Sequence, residues 1–273
     1  MSSAIAIRLK GIIDKIISPC QTAYISGRYI GENTRLVYDV LTLTKQNQMK
    51  GVVAVADFEA AFESVSWEYL TSVLENMNFG ANFIGIIKLL YLNHQNFSRT
   101  MINGHLGPQI YLHRGIRQGD PSSGYLFNIA AEILTGIINH SSKLNGINVS
   151  PLKQVRISQC ADDTILFLDG SHASIKGAMD ELDKFAHVSG LKVNVSKTSC
   201  MPIGMLTKDN IPEGLGLKIV EELKVLGIII ANNLDNITLR NIEGKCRQYA
   251  MTYNSGKGET LPRLGKYASS KHF

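Results

Sequence analysis

Between Gly51 and Asp57 the chain runs Val52-Val53-Ala54-Val55-Ala56 without one polar residue, and this run restricts the possible folds more than any other feature. A strand that is apolar on both faces must be covered on both sides, so it belongs inside a sheet. The segments around it have a different period. Trp67, Leu70, Leu74 and Met77 fall at helical spacing behind Ser66, a fair N-cap, and Gly80 closes the segment. Helical patterns also occupy 4–17, 33–45, 83–92, 124–139, 172–188 and the stretch running to about Tyr253. Short strands are expected at 155–159 and 165–168, joined across Ala161-Asp162-Asp163-Thr164, and at 225–230. Asn103-Gly104 marks a hairpin between 99–102 and 109–113. Strands interleaved with helices in this way make a mixed α+β domain.

A chain of 273 residues that is 44% hydrophobic and 19% charged has the composition of an ordinary globular domain with one good core. No apolar run is long enough to cross a bilayer, and Arg8, Lys10, Asp14 and Lys15 interrupt the N-terminal helix as they would not a signal peptide. The expectation is a soluble, intracellular chain with no membrane partner. Cys20, Cys160, Cys200 and Cys246 stand far apart, so free thiols are expected and neither a zinc site nor a disulfide framework. The net charge of +5 is unevenly placed: residues 1–238 balance to zero, and residues 239–273 carry 7 basic and 2 acidic residues. A basic tail suits a polyanionic partner, although many such tails are only solvated.

The acidic residues at strand ends carry the chemistry. Asp57 stops the buried strand, and Asp162-Asp163 occupy a hairpin turn; if the two strands are neighbours, the three carboxylates meet at one edge. Crowded carboxylates repel unless a cation neutralises them, and hard oxygen ligands suit Mg²⁺. Two such ions can clamp the attacking and leaving oxygens of an in-line phosphoryl transfer. Asp is also common in turns because its side chain bonds nearby backbone N–H groups, so the pair alone decides nothing.

Its neighbours decide more. The segment Ala56-Asp57-Phe58-Glu59-Ala60-Ala61-Phe62-Glu63-Ser64-Val65 resembles the first palm motif of reverse transcriptases of non-LTR (LINE-type) retrotransposons. Arg114-Gly115-Ile116-Arg117-Gln118-Gly119-Asp120-Pro121, with Tyr125-Leu126-Phe127-Asn128, resembles the second, and Cys160-Ala161-Asp162-Asp163 the third. Ser189-Gly190-Leu191-Lys192-Val193-Asn194-Val195-Ser196-Lys197-Thr198 is similar to the fourth and Val225-Leu226-Gly227-Ile228 to the fifth. Gln21-Thr22-Ala23-Tyr24, with Gly27-Arg28 and Asn33, resembles the fingers segment that precedes them. One such piece is weak; six in family order are specific.

The resemblance implies a right-hand polymerase fold, fingers and palm around an antiparallel sheet, with the thumb truncated. It implies partial fingers at 1–50, a palm with inserted fingers elements at 51–232, and a basic thumb stub or degenerate tail at 233–273. Asp57, Asp162 and Asp163, with the backbone carbonyl of Phe58, would hold two Mg²⁺ ions, or Mn²⁺ in their place. Phe62 would be the aromatic gate against a ribose 2′-OH, Gln118 and Gly119 would face the incoming nucleotide, Arg28 its triphosphate, and Lys197 the departing pyrophosphate. The partners implied are an RNA template, a DNA primer and dNTPs; no protein partner is deducible. The chain departs from the family at Ala60, Glu63, Ser122, Gly124 and Cys160, where Lys, Asp, Leu, Pro and an aromatic are usual. Ser122 and Gly124 are expected to loosen the start of the long helix, since Gly lacks the fixed φ of Pro. An alternative reading is a truncated, catalytically inactive remnant that at most binds RNA. A third, another two-metal palm enzyme such as a nucleotide cyclase, has no use for Phe62 or Arg117-Gln118-Gly119-Asp120-Pro121.

Overall fold

A computed structural model describes residues 2–92, 96–211, 217–232, 237, 240–244 and 246. The first half contains α1 (Ser2–Lys10), α2 (Ile13–Ile16), α3 (Gly31–Gln46), β1 (Lys50–Ala56), α4 (Ala61–Ser64), α5 (Trp67–Asn76) and α6 (Ala81–Tyr91). Four two-residue strands follow: β2 (Phe97–Ser98), β3 (Met101–Ile102), β4 (His105–Leu106) and β5 (Ile110–Tyr111). Then come α7 (Ser123–His140), β6 (Ile147–Ser150), β7 (Lys153–Val155), β8 (Ile157–Cys160), β9 (Asp163–Leu168) and α8 (His172–Ser189). Last are β10 (Ser199–Gly204), β11 (Lys218–Ile219), β12 (Glu222–Val225) and β13 (Ile228–Ala231).

The apolar run is the centre of the sheet. The strand order is β11-β10-β1-β9-β8, with β1 antiparallel to both β9 and β10. Its even residues, Val52, Ala54 and Ala56, pack with Leu70, Leu126, Leu134 and Leu182 from α5, α7 and α8 in the larger core. Its odd face, with Val53, Ile165, Phe167, Met201 and Ile203, is covered by Val37, Val40 and Leu41 of α3 and by Leu223, Val225 and Ile230 of β12–β13. Side chains alternate along a strand, so cover on both sides is what an unbroken apolar run requires.

Several expectations need correction. The sheet is mixed, not antiparallel, because β10 and β11 run parallel; a parallel neighbour needs a connection of about a dozen residues that returns the chain to its starting end. The N-terminal helix breaks at Gly11-Ile12, where Ile12 takes φ −129°. The strand at 155–159 divides at Arg156 into β7 and β8. The strand at 225–230 is a hairpin, since Leu226 and Gly227 both have positive φ, as a tight two-residue turn demands. Asn103-Gly104 does turn a hairpin, but β3 pairs with β4 while β2 pairs with β5. Strand β10, which interrupts its apolar residues with Pro202, has no counterpart among the sequence expectations.

The expected helices of the middle of the chain are present. Helices α5 and α8 are capped by Ser66 and Ser171, whose hydroxyls accept from the N–H of Tyr69 and Ser174. All four cysteines are free, and no helix among the described residues is long and apolar enough to cross a membrane. Most of the basic tail expected at 233–273 lies outside the described residues; of it, 237, 240–244 and 246 are helical.

Candidate active site

Register brings the carboxylates together. Strands β1 and β9 pair as far as Ala56 opposite Thr164, so Asp57 leaves β1 at the end where Asp163 begins β9. Asp162 lies in the turn between β8 and β9, one residue before Asp163. Burial pushes the Asp163 carboxyl above its ordinary range, and the charges of Asp162 and Asp57 push it the same way. The shift comes first from burial, and its smaller causes set the charges of Asp162 and Asp57 near Asp163. Lys197 Nζ lies 3.8 Å from Asp57 Oδ2.

Phe58 sits in an isolated antiparallel bridge with Val193. The bridge bonds belong to its neighbours: Asn194 N donates to Asp57 O at 2.7 Å, and Glu59 N donates to Lys192 O at 2.8 Å. The carbonyl of Phe58 therefore turns away from Val193, toward the side of β1 on which Asp162 and Asp163 stand. Hard carboxylate and carbonyl oxygens on one edge are the donor set that Mg²⁺ takes, and their mutual repulsion is what a cation would relieve. In that sense the residues fit a divalent ion. Among the described residues, no three His, Cys, Asp or Glu side chains already converge on one point as a closed ligand set.

A second cluster lines a cavity of about 830 Å³. Phe62, Gln118 and Gly119 are in its wall, as are Tyr24, Ser26 and Lys10. The Phe62 ring stacks on Phe127 of α7, with centroids 4.4 Å apart and planes 17° apart. Gly119 has φ +80°, which a side chain would strain, and no protein atom lies within 4 Å of where its Cβ would be. The Gln118 amide donates to Glu63 Oε1.

Arg28 requires a correction. Its guanidinium donates to the carbonyls of Ser18, Gln21, Ile17 and Asp14, clamping the chain that leaves α2. A fork already engaged with four backbone oxygens is not available to a triphosphate. Lys10 is the one cation among the residues that line the cavity, and its place on a short amphipathic helix gave no signal of that.

The expected loosening at Ser122 and Gly124 is also absent. Asp120 Oδ1 accepts from the Ser122 N–H at 2.8 Å and hydroxyl at 2.7 Å, and from the Ser2 hydroxyl. Burial acts to raise the Asp120 carboxyl, but these bonds hold it below its ordinary value. A Cβ on Gly124 would lie 2.5 Å from the Tyr24 ring, so glycine here makes room for that ring against the start of α7. Burial raises the Cys160 thiol, as do the charges of Asp163 and Asp162, so it packs as a neutral group.

The residue that sequence reasoning passed over is Gln21. It is 1% exposed, and its side chain bonds both the N–H and the carbonyl of Ala161, immediately before the Asp doublet.

Residues 1–230 match the family described as reverse transcriptase (RNA-dependent DNA polymerase). The chain is 30% identical over 213 residues to the transposon TX1 uncharacterized 149 kDa protein of Xenopus laevis, a match spanning 78% of this chain and 16% of that protein. It is 22% identical over 187 residues to the retrovirus-related Pol polyprotein of the type-1 retrotransposable element R2 of Popillia japonica, spanning 62% of this chain and 30% of that protein. In fold it is similar to apo telomerase of Candida tropicalis, with TM-score 0.59 and 11% identity over 85% of this chain and 40% of that one. It is similar also to telomerase of Candida albicans in complex with a fragment of telomeric RNA, with TM-score 0.58, 12% identity and coverage of 84% and 36%.

Proposed function

The chain belongs to the reverse transcriptase (RNA-dependent DNA polymerase) family, as a domain of the non-LTR retrotransposon type, and from that premise we propose that it extends a DNA primer with dNTPs on an RNA template. The observation that carries the proposal is the sheet end where β1 delivers Asp57 and β9 begins at Asp163 with Asp162 beside it, the charges of Asp162 and Asp57 each raising the cost of ionising Asp163. In this reading 1–50 are partial fingers, 51–232 a palm with inserted fingers elements, and 233–273 a basic thumb stub.

The primer 3′-oxygen attacks the α-phosphorus of the dNTP, forming one P–O bond as the bond to pyrophosphate breaks. Two Mg²⁺ ions, or Mn²⁺, held by Asp57, Asp162, Asp163 and the Phe58 carbonyl, would supply charge neutralisation for that in-line transfer. The protein's own residues arrange the rest. Phe62, held flat against Phe127, fills the space that a ribose 2′-OH would need. The open backbone at Gly119, beside Gln118, gives the nucleotide close approach. Lys10 takes the phosphate contact that Arg28 cannot. Lys197, already within reach of Asp57, is the proton donor to the pyrophosphate.

The test is primer extension by the purified chain on an RNA template. The expected result is dNTP incorporation that stops when divalent cations are chelated. Incorporation indifferent to chelation would contradict the two-metal chemistry, and none with either Mg²⁺ or Mn²⁺ would leave the inactive remnant in its place.

A further inference from the structure

Resting on that reading, we propose that Gln21 is a positioning residue: its side-chain amide sets the turn that carries Asp162 and Asp163 and ties that turn to the wall of the nucleotide cavity.

One side chain satisfies both backbone groups of Ala161. Gln21 Nε2 donates to Ala161 O at 3.1 Å, and Gln21 Oε1 accepts from Ala161 N at 2.8 Å. Ala161 provides one donor and one acceptor, so only this orientation of the amide pairs both. The residue being held is strained. Ala161 has φ +56°, a left-handed conformation that persists in a non-glycine residue only when its surroundings impose it.

The depth of Gln21 is fixed separately. Its backbone forms a parallel bridge with Gln159 of β8, in which Gln159 N donates to Cys20 O at 2.7 Å and Thr22 N donates to Gln159 O at 3.0 Å. The segment 20–22 therefore acts as a short extra strand on the open side of β8, and its middle side chain reaches past the end of that strand to the turn.

Gln21 Oε1 has a second donor. It accepts from Ala23 N at 3.0 Å, and the Ala23 carbonyl accepts from Asn128 Nδ2 of α7 at 2.7 Å. The next three residues, Tyr24, Ile25 and Ser26, line the cavity together with Phe62 and Gln118. One oxygen atom thus joins the cavity wall to the carboxylate turn, and neither can shift without altering a bond to the other. Residue type matters here. A carboxylate would bring a fourth negative charge beside three and could not donate to Ala161 O, whereas the neutral amide does both jobs.

The test uses the full chain and two variants, Gln21→Met, which keeps length and bulk but no hydrogen bond, and Gln21→Glu, which keeps the accepted bonds and loses the donated one. Amide hydrogen exchange is read at Ala161–Asp163, and Mn²⁺ affinity is read by electron paramagnetic resonance titration. In Gln21→Met, exchange at Ala161–Asp163 should speed up about tenfold or more while β1 and α8 stay unchanged, and Mn²⁺ should bind about tenfold more weakly. In exchange, Gln21→Glu should fall between Gln21→Met and wild type, and it supplies the comparison if Gln21→Met does not fold. Unchanged exchange at the turn, or faster exchange spread evenly over the chain with Mn²⁺ affinity intact, would overturn the proposal. A wild-type chain that neither binds Mn²⁺ nor extends a primer would refute the polymerase reading alone, since the exchange comparison decides the hold on Ala161 without it.

Discussion

The two edges of the sheet are built on different principles. Beyond β8, the edge next to the Asp doublet, lies a buried polar layer. The Asn33 amide donates to Ser158 Oγ at 2.8 Å and Gln159 O at 2.9 Å, the Thr22 hydroxyl donates to Asn33 Oδ1, and the Thr135 hydroxyl donates to Gln159 Oε1 at 2.6 Å. All of these residues are buried. At the other edge, β11 pairs with only Ser199 and Cys200 of β10. Past that point the Pro202 carbonyl accepts from the Asn232 amide at 2.6 Å, and on the side away from its ladder with β1 the strand is held by apolar contact of Met201 and Ile203 with Leu223, Val225 and Ile230.

The difference matters for position. Apolar burial is strong but non-directional, so it holds a strand down without fixing where along its length it sits. Hydrogen bonds between buried groups fix the register, because each group left unpaired incurs a desolvation cost. The directional edge is the one whose hairpin turn carries Asp162 and Asp163.

On the cavity side of that edge the expected effect is on nucleotide choice. Phe62→Ala should reduce the preference for dNTPs over rNTPs by about ten- to hundredfold, since it removes a steric penalty on the 2′-OH. Competitive single-nucleotide incorporation measures this, and an unchanged preference would return Phe62 to the role of a core ring on Phe127. Next is a direct contrast between the edges. Asn33→Ala should cost about 2–4 kcal/mol in urea melts, because it strands buried partners on Thr22, Ser158 and Gln159. Asn232→Ala should cost less than about 1 kcal/mol, the value of one replaceable bond. Equal costs would break the distinction drawn here.

The smallest effect concerns pH. The folded structure raises the Asp163 pKa, so the folded state holds its proton more tightly than the unfolded chain does. The contribution of Asp163 to stability is therefore greatest below the ordinary value of 3.8 and is lost as pH rises through the raised value. Asp163→Asn should accordingly stabilise the chain at neutral pH, by less than about 1 kcal/mol because the site is partly solvated, and the gain should vanish below the ordinary pKa. Thermal melts of the two proteins across that range would show it; a variant less stable than wild type at neutral pH would mean that Asp163 is there to hold its turn.

Much of this was legible beforehand. The unbroken apolar run fixed a central strand, and helical spacing located α5, behind its Ser66 cap, and α8, because those signals are local. Asp57 and the Asp doublet could be singled out less by their own positions, since Asp is common in turns, than by the motifs around them. The failures are non-local. Arg28 looked like a free cation because the four carbonyls that occupy it belong to a bend not readable from side chains. Gln21 looked like an ordinary polar residue because its partner is 140 positions away. Strand β10 was hidden by Pro202, whose lost N–H is harmless only because β11 has already ended there.

The central claim is that the carboxylates at this edge serve phosphoryl transfer and not the fold. The most direct measurement compares wild type with Asp162→Asn in RNA-templated primer extension with Mg²⁺, alongside circular dichroism melts of both proteins. The account predicts that extension is lost while the melting temperature holds or rises slightly, since the substitution removes a ligand and relieves repulsion together. Extension that survives the substitution, or a melting temperature that falls steeply with it, would show that Asp162 serves the turn.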